Sequence, residues 1–164
     1  MGVAGCGKTS VAQAIVARLG GRLIEGDVFH PQANVDKMRR GIALTDEDRA
    51  GWLDRLALEL TTAEQGGEHA VLACSALKRR YRDRLRAGAT NLGFVFLDLP
   101  EHEALKRVAQ RVGHFMPDSL VASQFADLER PTGEALALTV DALLPVEAIA
   151  EQVKKTSRVL IAHE

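Results

Sequence analysis

Apolar residues along this chain alternate between helical spacing and short continuous runs. From Lys8 to Leu19, Val11, Ala12, Ile15, Val16 and Leu19 fall on one face, and Gly20-Gly21 ends the predicted helix. Arg22 to Glu25 is a short strand closed by Gly26-Asp27, and a helix starts near Asn34 and fails by Gly41. Thr45 followed by Asp48 predicts a capping box with Asp in the Glu place. It opens a helix from Asp46 to Gln65 with Trp52, Leu53, Leu56 and Leu60 on one side. Ala70 to Cys74 is apolar throughout, as a strand buried on both faces requires. A very basic helix follows from Lys78 to Arg86, then a strand from Leu92 to Leu97 and a helix from Glu101 to Val112. Asp118 to Leu128 reads as a helix, Leu136 to Val140 as a weak strand, and Val146 to Lys155 as a helix. The run Arg158 to Ala162 reads as a last strand.

Strands that alternate with helices and are themselves apolar predict a parallel sheet covered on both faces, a three-layer α/β domain. Ligands in such folds bind beyond the carboxyl ends of the strands, so the residues there carry the chemistry. The length of 164 residues suits one domain with a real core, and a composition of 46% hydrophobic and 26% charged residues is that of an ordinary globular protein. With 21 basic against 22 acidic residues, charge gives no case for a nucleic-acid or membrane partner. Cys6 and Cys74 lack metal-ligand spacing and fit reduced cytoplasmic thiols. No signal-peptide pattern or membrane-length apolar run is present in the sequence.

The segment Gly2-Val3-Ala4-Gly5-Cys6-Gly7-Lys8-Thr9 is a G-x-x-x-x-G-K-[ST] phosphate loop, continued by Ser10 into the first helix. Its glycines let backbone N–H groups turn inward as an anion nest at the positive end of that helix. Lys8 is placed to reach the β- and γ-phosphates of ATP, and the Thr9 hydroxyl to join the shell of Mg²⁺. A dinucleotide fingerprint fits less well, because Gly5-Cys6-Gly7 is followed by Lys8-Thr9-Ser10 without the third glycine.

From the end of the strand Arg22 to Glu25 runs EGDVFHPQANVDKMRRGIALTDEDRAGWL. Asp27, at a strand tip, can face the γ-phosphate and take or hold the proton of an attacking hydroxyl. Taken singly, Asp27 also reads as a turn residue, His30 as a loop histidine, and Arg49 as part of a solvated charged face. Taken together, the pattern GDxxHPxxNxxKMxxGxxLxDxDRxxWL resembles the gluconate kinase family of small P-loop kinases. The similarity continues through CSALKRRYRDRLR and GHFMPDSLVASQFADLERP as far as Pro131. It implies ATP-dependent phosphorylation of D-gluconate to 6-phosphogluconate, a shikimate- and adenylate-kinase-like fold, and a homodimer.

The strand ending Ala73-Cys74-Ser75 lacks the carboxylate of a Walker-B strand, which leaves Mg²⁺ to Thr9, Asp27, phosphate oxygens and water. Arg49, Lys78 and Arg82, with His30, are candidates to hold the acceptor, since guanidinium groups pair carboxylates bidentately. The helix Lys78 to Arg86 is basic all round, so solvent exposure is the rival reading for each arginine on it. The segment from about 107 to 128 looks like the family's lid. Within it Arg107 and Arg111 stand four apart, able to aim at the triphosphate, and His114 lies beside the acceptor; Phe115 and Met116 read as packing. Two rival readings stay open: a kinase acting on another hydroxy acid such as shikimate, and an inactive nucleotide-binding fragment.

One position departs from pattern. A phosphate loop normally follows a buried strand, and here Met1 alone precedes it. Without that central strand its neighbours would stand about 10 Å apart with unpaired backbone between them. The expectation is therefore a first strand missing or truncated, Met1 being an internal residue of it or a misplaced start. A second expectation is that Arg158 to Ala162 crosses over into the slot.

Overall fold

A computed structural model of the chain describes residues 1–110 and 118–161. Helix α1 (Lys8–Leu19) leads into β1 (Arg22–Glu25), and a 3-10 turn (Gly26–Phe29) leads into α2 (Gln32–Arg39). The long α3 (Asp46–Gln65) starts at the expected capping box. Thr45 Oγ1 accepts from the Asp48 N–H at 3.2 Å, and Asp48 Oδ2 accepts from the Thr45 N–H at 2.9 Å. Then follow β2 (Ala70–Ala73), α4 (Arg79–Arg86), β3 (Phe94–Asp98), α5 (Glu101–Ala109), α6 (Asp118–Asp127), β4 (Ala137–Asp141) and α7 (Val146–Ile161).

All strand pairing is parallel. β1 pairs β2 in the register Arg22 to Ala70 through Glu25 to Ala73, and β3 pairs β4 from Phe94 to Ala137 through Asp98 to Asp141. Apolar side chains pack on both faces. On one, α1, α5 and α7 contribute Ile15, Val108 and Ile149 against Leu97 and Val140. On the other, α3 and α4 bury Trp52, Leu53, Leu56 and Leu85 against Ile24, Cys74 and Phe94. This is the expected α/β P-loop arrangement of three layers.

The sheet is nevertheless divided. Among the described residues no strand lies between β2 and β3, and the two parallel pairs are joined there through Met1 and Gly2. The Met1 amine donates to the Val95 carbonyl at 2.6 Å, Leu97 N–H donates to the Met1 carbonyl at 3.0 Å, and Gly2 N–H donates to the Ser75 carbonyl at 3.1 Å. Below this bridge lies a cavity of about 180 Å³, lined by Val11, Ile15, Val71, Leu72 and Val95 among others. β2, predicted to be buried on both faces, is for that reason half-buried over Ala70 to Leu72. Cys74, at its end, is 3% exposed, and burial pushes its thiol up to about 11.

The tail corrects an expectation. Arg158 to Ile161 is not a strand but the last turn of α7, so it does not enter the slot. α7 begins at Val146, and its Ile149 and Ala150 are buried against α1. A short apolar run such as Val159 to Ile161 cannot be told from a strand by periodicity alone.

Candidate active site

The site assembles at the carboxyl ends of β1 and β2, beside the phosphate loop. Val3 and Cys6 point into the core at 1% and 2% exposure, which anchors the loop and leaves its backbone facing the cleft. Gly7 holds φ 92° as the residue before α1, a left-handed conformation open chiefly to glycine, and thereby turns the loop into the helix N-terminus. Lys8 Nζ donates to the carbonyls of Gly2 and Val3 at 3.2 and 3.0 Å. The loop is braced from outside as well. Ala4 N–H donates to Gln124 Oε1 of α6 at 2.7 Å, and Arg107 of α5 spans from the Gly5 carbonyl (3.4 Å) to the Ala142 carbonyl (3.1 Å). Ser10 lies exposed on the first turn of α1.

Thr9 Oγ1 donates to Glu25 Oε2 at 2.8 Å. Sequence reasoning passed over Glu25 as the last residue of a strand. The signal available was a carboxylate two residues from Asp27 at a strand tip. Among the described residues no group of three or more His, Cys, Asp or Glu side chains could hold a metal by itself. Thr9 and Glu25 are hard oxygen donors of the kind Mg²⁺ accepts when phosphate and water complete its octahedron.

Asp27 sits on the 3-10 turn with its side chain exposed, and among the described residues no hydrogen bond engages its carboxylate. The turn itself is rigidly held. Gly26 passes so close to β2 that a Cβ there would lie 2.7 Å from the Ala73 carbonyl oxygen, and Trp52 Nε1 donates to the Gly26 carbonyl at 2.8 Å. His30 stacks on Trp52 with ring centroids 4.3 Å apart, and its Nδ1 is buried without a partner among the described residues. Burial pushes the His30 pKa below its ordinary value. The nearby Asp27 carboxylate opposes that shift and the Arg49 cation reinforces it, so the ring is neutral at pH 7. Asn34 Nδ2 donates to the Asp48 carbonyl at 2.8 Å, and Lys37 pairs with the Asp48 carboxylate at 2.7 Å. The motif residues from Gly26 to Trp52 thus form one packed unit, in which Trp52 fixes the backbone beside Asp27 and stacks on His30 while Asn34 and Lys37 tie α2 to the first turn of α3.

Against this unit lies a group of charges around Tyr81. Arg49 Nη1 donates to Tyr81 Oη at 3.1 Å and pairs with Asp127 Oδ2 at 3.3 Å, while Lys78 Nζ reaches Asp127 Oδ1 at 2.9 Å and Asp46 Oδ1 at 3.1 Å. Arg80 and the Tyr81 hydroxyl also bond to Asp46. Tyr81 chiefly, with Lys78 and Arg80, holds the Asp46 carboxyl below its usual range. Burial pulls Lys78 down, but its bonds to Asp127 and Asp46 more than offset this and leave its pKa above the ordinary value.

Arg82 is not brought to the cleft. Its side chain is 0% exposed, hydrogen-bonded through Nε to Glu134 at 3.0 Å and through Nη1 to the carbonyls of Ala76 and Leu77 at 2.9 Å. The four-residue spacing from Lys78 aligns the two on the same side of α4, yet Lys78 precedes the helix and its extended backbone turns the side chain elsewhere. Arg82 instead clamps Ala76, which holds φ 44°, and so shapes the turn from β2 to Lys78. Of the predicted site residues, His30 lies near Asp27 and Arg49, Arg49 and Lys78 share Asp127, Lys8 and Thr9 open α1 after the loop, and Arg107 touches the loop at the Gly5 carbonyl. Arg111 and His114, with Phe115 and Met116, lie outside the described residues.

Residues 1–131 match the family model described as "AAA domain". The chain is 44% identical over 134 residues to the thermosensitive gluconokinase of Escherichia coli, covering 82% of this chain and 72% of that one. It is 50% identical over 131 residues to a gluconokinase of Gluconobacter oxydans, covering 80% and 74%. The crystal structure of a gluconokinase from Sinorhizobium meliloti superposes with a TM-score of 0.89 at 41% identity, over 100% of this chain and 94% of the other. An APS kinase of Mycobacterium tuberculosis, at 22% identity and a TM-score of 0.69 over 94% and 92% of the two chains, shares the fold. With those identities, a phosphate loop, a strand-tip Asp and a packed GDxxHP unit, the chain belongs to the gluconokinase family of P-loop kinases.

Proposed function

We propose that this protein phosphorylates D-gluconate at the C6 hydroxyl with ATP, yielding 6-phosphogluconate and ADP. The observation that carries the reading is the packed unit from Gly26 to Trp52, which presents Asp27 and a neutral His30 beside the phosphate loop. Gluconokinases of Escherichia coli and Gluconobacter oxydans are 44% and 50% identical to this chain over 134 and 131 residues. Loop N–H groups and Lys8 bind the phosphates. Asp27 accepts the hydroxyl proton or holds the hydroxyl in line, as its free carboxylate suits. His30 Nδ1 hydrogen-bonds an acceptor hydroxyl, and Arg49 with Lys78 pairs the carboxylate. Thr9 and Glu25 would be the protein oxygens that hold Mg²⁺, which would supply charge neutralisation for the transfer. The segment from about 107 to 128 acts as a lid in this reading, Arg107 and Arg111 supporting the triphosphate and His114 the acceptor. A single domain, a homodimer and a cytoplasmic location complete it. Among the described residues no helix is long and apolar enough to cross a membrane.

The test is ADP release with Mg-ATP across a panel of hydroxy acids. Turnover with gluconate and not with shikimate is expected. Turnover with another hydroxy acid alone would reassign the acceptor, and nucleotide binding without turnover on any acid would mark a non-catalytic protein.

A further inference from the structure

Asp127 closes α6 and is not itself among the residues assigned above to nucleotide or acceptor. Its two carboxylate oxygens are divided between the two cations placed on the acceptor's carboxylate: Oδ2 to Arg49 Nη1 at 3.3 Å and Oδ1 to Lys78 Nζ at 2.9 Å. Arg49 and Lys78 are 11% and 17% exposed in their side chains and Asp127 is 28% exposed, so the bridge lies at the cleft wall, within reach of solvent and of a ligand. Neither cation is free to swing. Arg49 is also fixed by the Tyr81 hydroxyl and Lys78 by Asp46. A carboxylate bridging two fixed cations with one oxygen each has the geometry that an acceptor's own carboxylate needs there.

We propose that Asp127 is a specificity-determining residue of the acceptor site, an internal carboxylate that occupies Arg49 and Lys78 and must be exchanged for the carboxylate of the acceptor. This rests on the reading of Arg49 and Lys78 as the acceptor's cation pair. Two consequences follow. An acceptor carboxylate gains only the difference between its own pairing and that of Asp127. Small inorganic anions, which gain no contacts from a sugar chain, cannot hold the site against Asp127, so the cradle is reserved for a carboxylate attached to a polyol. With Arg49, Lys78 and Arg80 against Asp46 and Asp127, the group keeps one net positive charge, which suits a monoanion.

Calorimetric titration of the whole chain and of Asp127→Asn tests this, with gluconate, the neutral polyol sorbitol and inorganic phosphate as probes. Asp127→Ser serves as a second variant, and circular dichroism reports the fold of each. Removing the competitor should tighten gluconate binding about three- to tenfold, the range expected for losing one or two part-exposed ion pairs. Sorbitol binding should be unchanged, and phosphate should become a competitor of gluconate. A purely structural role cannot tighten binding. Unchanged or weaker gluconate binding in both folded variants overturns the exchange, and equal weakening of gluconate and sorbitol identifies Asp127 as a hydroxyl ligand instead. If the unaltered chain binds nucleotide but neither it nor the variants bind gluconate, the acceptor reading fails and this inference with it.

Discussion

The duties proposed for Asp27, Glu25 and Arg49 are separable, and single substitutions tell them apart. Asp27→Asn keeps the turn, because Gly26 and Trp52 fix it through the backbone, but removes the charge that draws the hydroxyl proton. Turnover should fall by about a hundredfold or more with nucleotide affinity retained. An unchanged rate of ADP release would remove Asp27 from the reaction. Glu25→Gln leaves Thr9 a hydrogen-bond acceptor but weakens the negative field beside its hydroxyl. The Mg²⁺ concentration for half-maximal rate should rise about tenfold, as when a metal site's supporting partner is lost. Arg49→Ala should raise KM for gluconate about ten- to a hundredfold with KM for ATP little changed, the cost of one charge-assisted contact. An effect confined to ATP would reassign Arg49.

At the scale of elements, the chain's pattern announces most of what is observed, and the exceptions have physical causes. α1, β1 and α3 take their predicted bounds because each is bounded by a strong local signal: Gly20-Gly21 after α1, Gly26-Asp27 after β1 and the Thr45 to Asp48 box opening α3. Arg82 was illegible because eight residues of α4 include five arginines, and which one is swallowed depends on Glu134, fifty-two positions away. Its burial is the better tool for prediction. Arg82 chiefly, with Arg86, holds the Glu134 carboxyl down to about 2, against an ordinary value of 4.5. Glu134 is ionised at neutral pH in both folded and unfolded chains, so its contribution is complete above about pH 4.5 and is lost as pH falls toward 2. Glu134→Gln leaves a buried guanidinium uncompensated and should cost about 3–5 kcal/mol at pH 7. In urea melts the gap between the two proteins should shrink steadily below pH 4.5; a gap independent of pH would show that the carboxylate's charge is not what stabilises the turn at Ala76.

For the whole molecule, the decisive feature is the division of the sheet. Helices cover both faces, yet the layer between them is interrupted by a cavity of about 180 Å³, and the Met1 amine is drawn into that apolar gap. Burial pushes its pKa below the ordinary value, the mark of a charge poorly served by its surroundings. Met1 and Gly2 bond to β3 and to the end of β2 as the last steps of a parallel strand would, so the backbone direction for any residues joined to Met1 is already set. Extending the chain before Met1 by four or five β-branched and aliphatic residues should therefore place a strand between β2 and β3. At about 24 cal/mol per Å³, eliminating a void of this size is worth about 4 kcal/mol. The melting temperature should then rise by about 10 °C. A Gly-Ser extension of equal length supplies the peptide bond at Met1 without side chains for the cavity and should recover only a small part of the rise. Hydrogen exchange gives the local readout: amides of β2 and β3 should gain protection in the apolar extension alone. If both extensions act alike, the charge on Met1 and not the open slot limits stability. If neither acts, the two half-sheets are already as firmly held through Met1 and Gly2 as a full central strand would hold them.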